Sequence, residues 1–187
     1  FPLELTASYL TGPSGVSLEF SALNKGSSTA PFGFAFHPCF RIANGAPSDW
    51  VVQTPASEVM LVDSERLLPL RIAEVAGTRL DFRSGATPDV ELIDHAFTGW
   101  TESGSKELGA RFVAVTGPDG RRLTMAWSDS CEWMQMHVPD ASDATNGSVV
   151  LEPQTGPPDS FNSGIGLVSL APQEVFSLSC QMSVNES

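Results

Sequence analysis

The sequence predicts an all-β protein folded as an antiparallel β-sandwich. Short runs rich in β-branched and aromatic residues recur along the chain, and almost none shows the period of an amphipathic helix. Turn-forming residues separate the runs, and the 187 residues include 16 glycines and 14 prolines. Short strands divided by turns in this way are typical of a sandwich or a barrel. We expect a single β-sandwich domain over residues 1–187.

Each predicted strand is an apolar or β-branched run that ends at a turn signal, such as Gly12-Pro13-Ser14-Gly15 or Pro118-Asp119-Gly120. In chain order the predicted strands are 3–9, 16–23, 30–36, 50–53, 59–62, 111–116, 122–126, 133–138, 148–151 and 174–182. Long loops are predicted at 41–49, 63–90, 101–108 and 156–165. A short helical turn is expected within 63–90.

The segment 151–164, LEPQTGPPDSFNSG, places one acidic residue between an apolar run and a turn-rich loop. Proline has no N–H to donate to a ladder, so Pro153 is predicted to end the strand, and Pro157 and Pro158 fix further φ angles. Glu152 is therefore expected at a strand end on a backbone with little freedom. A carboxylate held in this way suits a catalytic base. A lone glutamate before a loop would ordinarily be a solvated surface residue.

This segment resembles the stretch around the catalytic glutamate of the aldose 1-epimerase (galactose mutarotase) family. Two earlier segments resemble the same family in the same order: 33–40, GFAFHPCF, its histidine motif, and 93–99, IDHAFTG, its sugar-binding aspartate motif. The segment 133–137, WMQMH, fits as well. The resemblance covers nearly the whole chain, but only the later part of the family's length. Because the chain starts at Phe1 and is strand-like at once, we expect an N-terminal part to be missing. The resemblance implies that this part would carry an arginine and a further histidine of the sugar site.

The resemblance implies a galactose mutarotase-like sandwich that interconverts the α and β anomers of a free hexose, such as galactose or glucose, without a cofactor. It implies that Glu152 is the base that takes the proton of the anomeric hydroxyl. It implies that His37 is the acid that protonates the ring oxygen, and that Asp94 holds a sugar hydroxyl. A buried, hydrogen-bonded histidine would be the ordinary interpretation of His37 without the resemblance.

Strand parity places His37 on an open face. In an extended run over 32–37, the phenylalanines share one face, and His37 shares the other with Gly33 and Ala35. The small neighbours leave room for a ligand above His37. Pro38 also holds residue 37 near extended geometry.

Parity likewise predicts a sugar-binding face in the run 133–138. Trp133, Gln135 and His137 share one face, and the methionines share the other. An indole can stack on the C–H face of a sugar, and amide and imidazole groups can bond its hydroxyls. Trp133 and Gln135 are therefore predicted to bind substrate, and the role of His137 stays open. Phe161, in the loop after Glu152, either walls the pocket or plugs the loop; we predict that it binds substrate.

Other reactive residues are interpreted as structural. His95 follows Asp94 directly, so its side chain should point to the opposite face of an extended run. The three cysteines form no regular spacing and no Cys-x-x-Cys pair, so neither a disulfide framework nor a zinc site is predicted. Cys39, close to His37, is interpreted as a small packed residue. No histidine or carboxylate pair has helical metal-ligand spacing, so no metal is predicted.

Composition limits the partners. The formal net charge of −12 and a pI near 4.4 disfavour binding to nucleic acid or to an anionic membrane. A neutral aldose is compatible with this balance, whereas a hexose 6-phosphate would need a local basic cluster that the scattered lysines and arginines do not form. No apolar run reaches transmembrane length and no signal peptide is visible. We expect a cytoplasmic monomer or homodimer whose partner is a small aldose.

Three alternatives remain open at this point. A non-catalytic sugar-binding module could use the same sandwich; the presence of both His37 and Glu152 speaks against it, and the expected absence of the N-terminal part speaks for it. An epimerase of hexose 6-phosphates is disfavoured by the charge distribution. The third alternative is a structural fragment that needs the missing strands to fold, and its unpaired strand edges would make it prone to association.

Overall fold

The computed structural model describes residues 1–41, 45–88, 93–100, 111–139 and 147–185. Its first strands are β1 (Leu3–Gly12), β2 (Gly15–Asn24), β3 (Ala30–Phe32), β4 (Cys39–Phe40), β5 (Val51–Gln53), β6 (Ala56–Val62) and β7 (Pro69–Glu74). The later strands are β8 (Asp94–Trp100), β9 (Phe112–Thr116), β10 (Arg122–Trp127), β11 (Trp133–His137), β12 (Val149–Gln154), β13 (Val168–Leu170) and β14 (Val175–Asn185). A 3-10 helix, Pro47–Asp49, and a helix α1, Ser160–Ser163, lie between strands.

Within the described residues, the strands form two six-stranded antiparallel sheets and a small two-stranded one. The first sheet has the order β1-β2-β14-β10-β9-β5, and the second has the order β4-β12-β11-β8-β6-β7. The small sheet pairs β13 with β3. The hairpin between β1 and β2 needs glycine at position 15, because φ there is +123° and an added Cβ would lie 2.0 Å from the carbonyl oxygen of Met182.

One apolar core contains side chains from both large sheets. From the first sheet it takes alternate residues of β2, β10 and β14, and from the second it takes alternate residues of β8, β11 and β12. Phe97, Met134 and Met136 are fully buried in it. Two antiparallel sheets that bury their inner faces against each other form a β-sandwich, so the predicted fold class is confirmed.

The outer face of the second sheet carries a different set of side chains. Met60, Ala96 and Trp133 form a small apolar cluster there. Gln135 is half-buried beside it, because Gln135 lies opposite Ala96 in the pairing of β11 with β8. The second sheet therefore buries one face in the core and presents polar groups on the other.

The predicted strands are confirmed in most places, with one shortened and four missed. The run 30–36 is a regular strand only to Phe32, because the chain then leaves the small sheet and meets β12. The missed strands are short, at an edge or interrupted by special residues: β4, β7, β8 and β13. In β8 the pattern is obscured by Gly99, whose φ is +68°.

The prediction that Pro153 ends its strand is wrong. β12 continues through it to Gln154. The carbonyl of Pro153 faces the segment that contains His37 and accepts the N–H of Phe36 at 3.0 Å. In an antiparallel sheet, the nitrogen and the carbonyl of one residue face the same neighbouring strand. The nitrogen of Pro153 therefore also faces the His37 segment, and its missing N–H removes no bond to β11.

The predicted loops contain more structure than expected. The stretch 63–90 contains β7, and the expected helical turn is formed where the carbonyl of Asp63 accepts the N–H of Leu67. The loop 156–165 contains α1. The predicted loop 101–108 lies outside the described residues. No helix in the described part of the chain is long and apolar enough to cross a membrane.

Phe97→Ala should lower the free energy of unfolding by about 3–5 kcal/mol, because it removes a fully buried ring and leaves a cavity. Urea unfolding followed by tryptophan fluorescence measures this loss. The matched control is Phe161→Ala, which removes a ring that is 62% exposed and should cost less than about 1 kcal/mol. Equal losses in the two variants would contradict the placement of the core.

Candidate active site

The His37 segment is fastened to the Glu152 strand by backbone hydrogen bonds. The N–H of Phe36 donates to the carbonyl of Pro153 at 3.0 Å. The N–H of Thr155 donates to the carbonyl of Phe34 at 2.9 Å, and that of Leu151 donates to the carbonyl of Pro38 at 3.3 Å. The Thr155 side chain adds a bond, since its Oγ1 accepts the N–H of Phe34 at 3.1 Å. The two segments that resemble family motifs are therefore neighbouring antiparallel strands in space.

The register of this pairing places His37 directly opposite Glu152. Ala35 lies opposite Gln154, and Cys39 lies opposite Val150. Between these pairs, Nε2 of His37 approaches Oε1 of Glu152 to 3.1 Å. The side chain of His37 is 65% exposed and that of Glu152 is 12% exposed. The imidazole of His37, which is open to solvent, is thus in contact with the mostly buried carboxylate of Glu152.

On its other side Glu152 adjoins β11 and β8, which bring Asp94 and Gln135 to it. Gln135 lies opposite Glu152 in the pairing of β11 with β12. Nε2 of Gln135 donates to Oδ1 of Asp94 at 2.5 Å. His137, opposite Asp94, places Nδ1 at 3.9 Å from the same oxygen. Two carboxylates, two imidazoles and one amide therefore meet on the outer face of the second sheet.

Burial is the main influence on the titration of Glu152. The loss of water around its carboxylate raises its pKa above the ordinary value, and the charge of Asp94 raises it further. The positive charges of His37 and His137 lower that pKa. A carboxylate whose pKa is raised binds a proton more readily, which is a useful property for a general base.

A cavity of about 420 Å³ opens beside Glu152. The residues that line it come from the His37 segment, from β11 and from the loop after β12; they include Gly33, Ala35, Gln135, Glu152, Pro157 and Phe161. The ring of Phe161 stands over Gly33, where an added Cβ would lie 3.1 Å from Cε2 of Phe161. Glycine at position 33 therefore lets this aromatic ring lie close to the backbone at the cavity wall.

Most of the predicted site residues come together, and Trp133 does not. His37, Asp94, Gln135 and Glu152 form one contiguous group, and Phe161 lines the adjoining cavity. Trp133 is on the predicted face but only 4% exposed, packed in the cluster with Met60 and Ala96. It is not among the residues that line the cavity.

The structure adds Thr155 and the Asp94–His137 proximity to the predicted site. Neither could be found from one strand alone, because both depend on which strands are paired. His95 points away from the site, as strand parity predicts: it lines a separate cavity together with Leu61, Arg79 and Leu80, and burial is the main cause that lowers its pKa. Among the described residues, no group of three or more histidines, cysteines and carboxylates is arranged to hold a metal ion.

Comparison with known proteins identifies the family. A family profile described as aldose 1-epimerase matches residues 1–183. The chain belongs to the aldose 1-epimerase family. The resemblance inferred from the segments around His37, Asp94 and Glu152 is thereby confirmed.

A curated relative within this family is protein YihR of Escherichia coli K12, which is described as uncharacterized. The chain is 28% identical to it over 161 residues, which is 86% of this chain and 49% of YihR. The chain therefore spans about half the length of this curated relative.

Solved structures of similar proteins show the same fold. A candidate aldose 1-epimerase from Escherichia coli K12 has a TM-score of 0.79 at 22% identity, over 99% of this chain and 61% of that one. A galactose mutarotase-like protein from Clostridium acetobutylicum has a TM-score of 0.81 at 19% identity, over 99% and 56%. A galactose 1-epimerase from Lactobacillus acidophilus NCFM has a TM-score of 0.76 at 22% identity, over 99% and 57%.

Substitution of two neighbours of Glu152 should move the pKa of its carboxyl group in opposite directions. His37→Asn should raise this pKa, because it removes a positive charge, and Asp94→Asn should lower it, because it removes a negative one. Carbon-13 NMR titration of the glutamate carboxyl groups measures the pKa, and loss of the signal in Glu152→Gln assigns it. Shifts of the same sign in both variants would show that these charges do not act on Glu152.

Proposed function

We propose that this chain carries the acid–base centre of a mutarotase that interconverts the α and β anomers of a free aldose, such as galactose or glucose. The observation that carries the proposal is the 3.1 Å approach of His37 Nε2 to Glu152 Oε1. Membership of the aldose 1-epimerase family supports it. An anomeric centre has two oxygens on one carbon, the hydroxyl and the ring oxygen, so an adjacent base and acid can reach both.

In the proposed reaction, ring opening transfers two protons. The Glu152 carboxylate takes the proton of the anomeric hydroxyl, and the C1–O bond to the ring oxygen breaks as C1 becomes an aldehyde. Protonated His37 gives its proton to the ring oxygen, which leaves as a hydroxyl. Rotation about C1–C2 presents the other face of the aldehyde. During ring closure, the hydroxyl that attacks C1 gives its proton to His37, and Glu152 gives its proton to the aldehyde oxygen. The protein therefore ends in its starting state.

The same site is suited to a neutral sugar. Asp94 and Gln135 supply an acceptor and an amide for hydroxyl groups. The described residues that line the cavity include no lysine or arginine, so this lining has no strongly basic side chain to neutralise a phosphate. The carboxylates of Glu152 and Asp94 would repel one. A free aldose is therefore the proposed substrate in preference to a hexose 6-phosphate.

Glu152→Gln should abolish most of the acceleration of mutarotation, with kcat/KM lower by about 10²–10⁴-fold, because the amide cannot accept the hydroxyl proton. Polarimetry of freshly dissolved α-galactose and α-glucose measures the relaxation rate. The matched control is Glu19→Gln, since Glu19 is exposed on β2 in the other sheet and should leave the rate unchanged. Wild-type rates in Glu152→Gln would refute its role as the base.

Binding and turnover separate the proposal from a non-catalytic sugar-binding module. Calorimetric titration with galactose should show that Glu152→Gln still binds the sugar. A folded wild-type protein that binds galactose but leaves the relaxation rate unchanged would establish the binding module instead.

The rate should fall at low pH. Since the pKa of Glu152 is raised, the carboxylate form is lost as pH falls, at a midpoint above the ordinary value of 4.5. His37→Asn should be much slower, because it removes the group that protonates the ring oxygen, and its rate should begin to fall at a higher pH, because the lost positive charge raises the pKa of Glu152 further. Profiles of kcat/KM from polarimetry measure both effects, and a wild-type rate and profile in His37→Asn would remove His37 from the mechanism.

A further inference from the structure

His137 is the group in the site for which the proposed reaction has no use. It lies at the end of β11, directly across from Asp94 of β8. Its Nδ1 is 3.9 Å from Oδ1 of Asp94, which already accepts the amide of Gln135 at 2.5 Å. One carboxylate oxygen is thus approached from two sides by groups of the same strand.

Two atoms of this arrangement are buried without a hydrogen-bond partner among the described residues. They are Nδ1 of His137 and Oε1 of Gln135. Buried polar atoms are ordinarily paired, so such atoms need an explanation. Hydrogen bonds of catalytic sites are often long in the absence of substrate and shorten when it binds. A distance of 3.9 Å between Nδ1 and Oδ1 is one that a small movement of either side chain would close.

We propose that His137 is a positioning residue for the sugar, which holds Oδ1 of Asp94 together with Gln135 and so directs Oδ2 at a substrate hydroxyl. Oε1 of Gln135 then accepts a second hydroxyl from the same sugar. The ligand is an aldose with two neighbouring hydroxyl groups, one for each acceptor. This inference rests on the proposed function for the identity of the ligand.

The charge of His137 has a separate effect. Among the described residues, the titratable groups that act on Glu152 are His37 from the 33–38 segment, Asp94 from β8 and His137 from β11. The positive charge of His137 lowers the pKa of Glu152, and Asp94 opposes it. A hydrogen-bond donor at Nδ1 and a positive charge on the ring are therefore two distinct contributions, which two substitutions can separate.

The experiment compares His137→Asn with His137→Leu. Asparagine places an amide nitrogen where Nδ1 stands but carries no charge, and leucine removes both donor and charge. Galactose affinity is measured by calorimetry with the Glu152→Gln substitution present, so that binding is read without turnover. His137→Leu should weaken binding about tenfold, the effect of one lost hydrogen bond to a charged group, whereas His137→Asn should stay within about threefold.

A second readout does not depend on a ligand. With Glu152 intact, both variants should raise the pKa of Glu152 to a similar degree, because both remove the positive charge. Recovery of affinity by asparagine without recovery of this pKa is a pattern that a merely structural role would not produce. Thermal unfolding of each variant confirms that it is folded.

The partner is tested by a double-mutant cycle. If His137 acts through Asp94, His137→Leu should have little further effect on affinity when Asp94→Asn is already present. Equal loss of affinity in the asparagine and leucine variants, no loss in either, or full additivity with Asp94→Asn would each overturn the proposal. A wild-type chain that binds galactose without accelerating mutarotation would end the proposed catalysis but not this inference, since the comparison is made on binding.

Discussion

The hydrogen-bonded pairing of residues 34–38 with β12 is the constraint on which the site depends. It brings an exposed imidazole and a mostly buried carboxylate to 3.1 Å, although they are far apart along the chain. The Pro153 carbonyl and the Thr155 hydroxyl both take part in it. The proposed proton transfers need an acid and a base held at fixed positions, and backbone hydrogen bonds hold His37 and Glu152 in this way.

The sandwich gives the second sheet two environments. Its inner face packs into the core, so β8, β11 and β12 cannot shift relative to one another without disturbing Phe97, Met134 and Met136. Its outer face can then carry polar groups in fixed register. Partial burial of Glu152 on that outer face removes water from its carboxylate and raises its pKa. The core thus determines where Glu152 lies, and its neighbours on the outer face influence how strongly it holds a proton.

Charge is balanced locally within a strongly acidic chain. Two carboxylates, of Glu152 and Asp94, lie close together, which would be unfavourable for both if nothing opposed it. His37 approaches the first and His137 approaches the second. Each carboxylate is thus paired with an imidazole, so the site has no large local excess of one charge, which suits the neutral aldose of the proposed function.

The sequence by itself determined the fold class, the family and the face on which each candidate lies. Side chains alternate along any extended strand whatever it pairs with, so the positions of His37 and Gln135, and of His95 on the opposite side, followed from local pattern. Only the tertiary structure decided which strands are neighbours, and therefore that His37 faces Glu152 and that His137 faces Asp94. It also decided that β12 continues through Pro153 and that Trp133 is buried. These outcomes depend on contacts between residues distant in the chain, which no local pattern specifies.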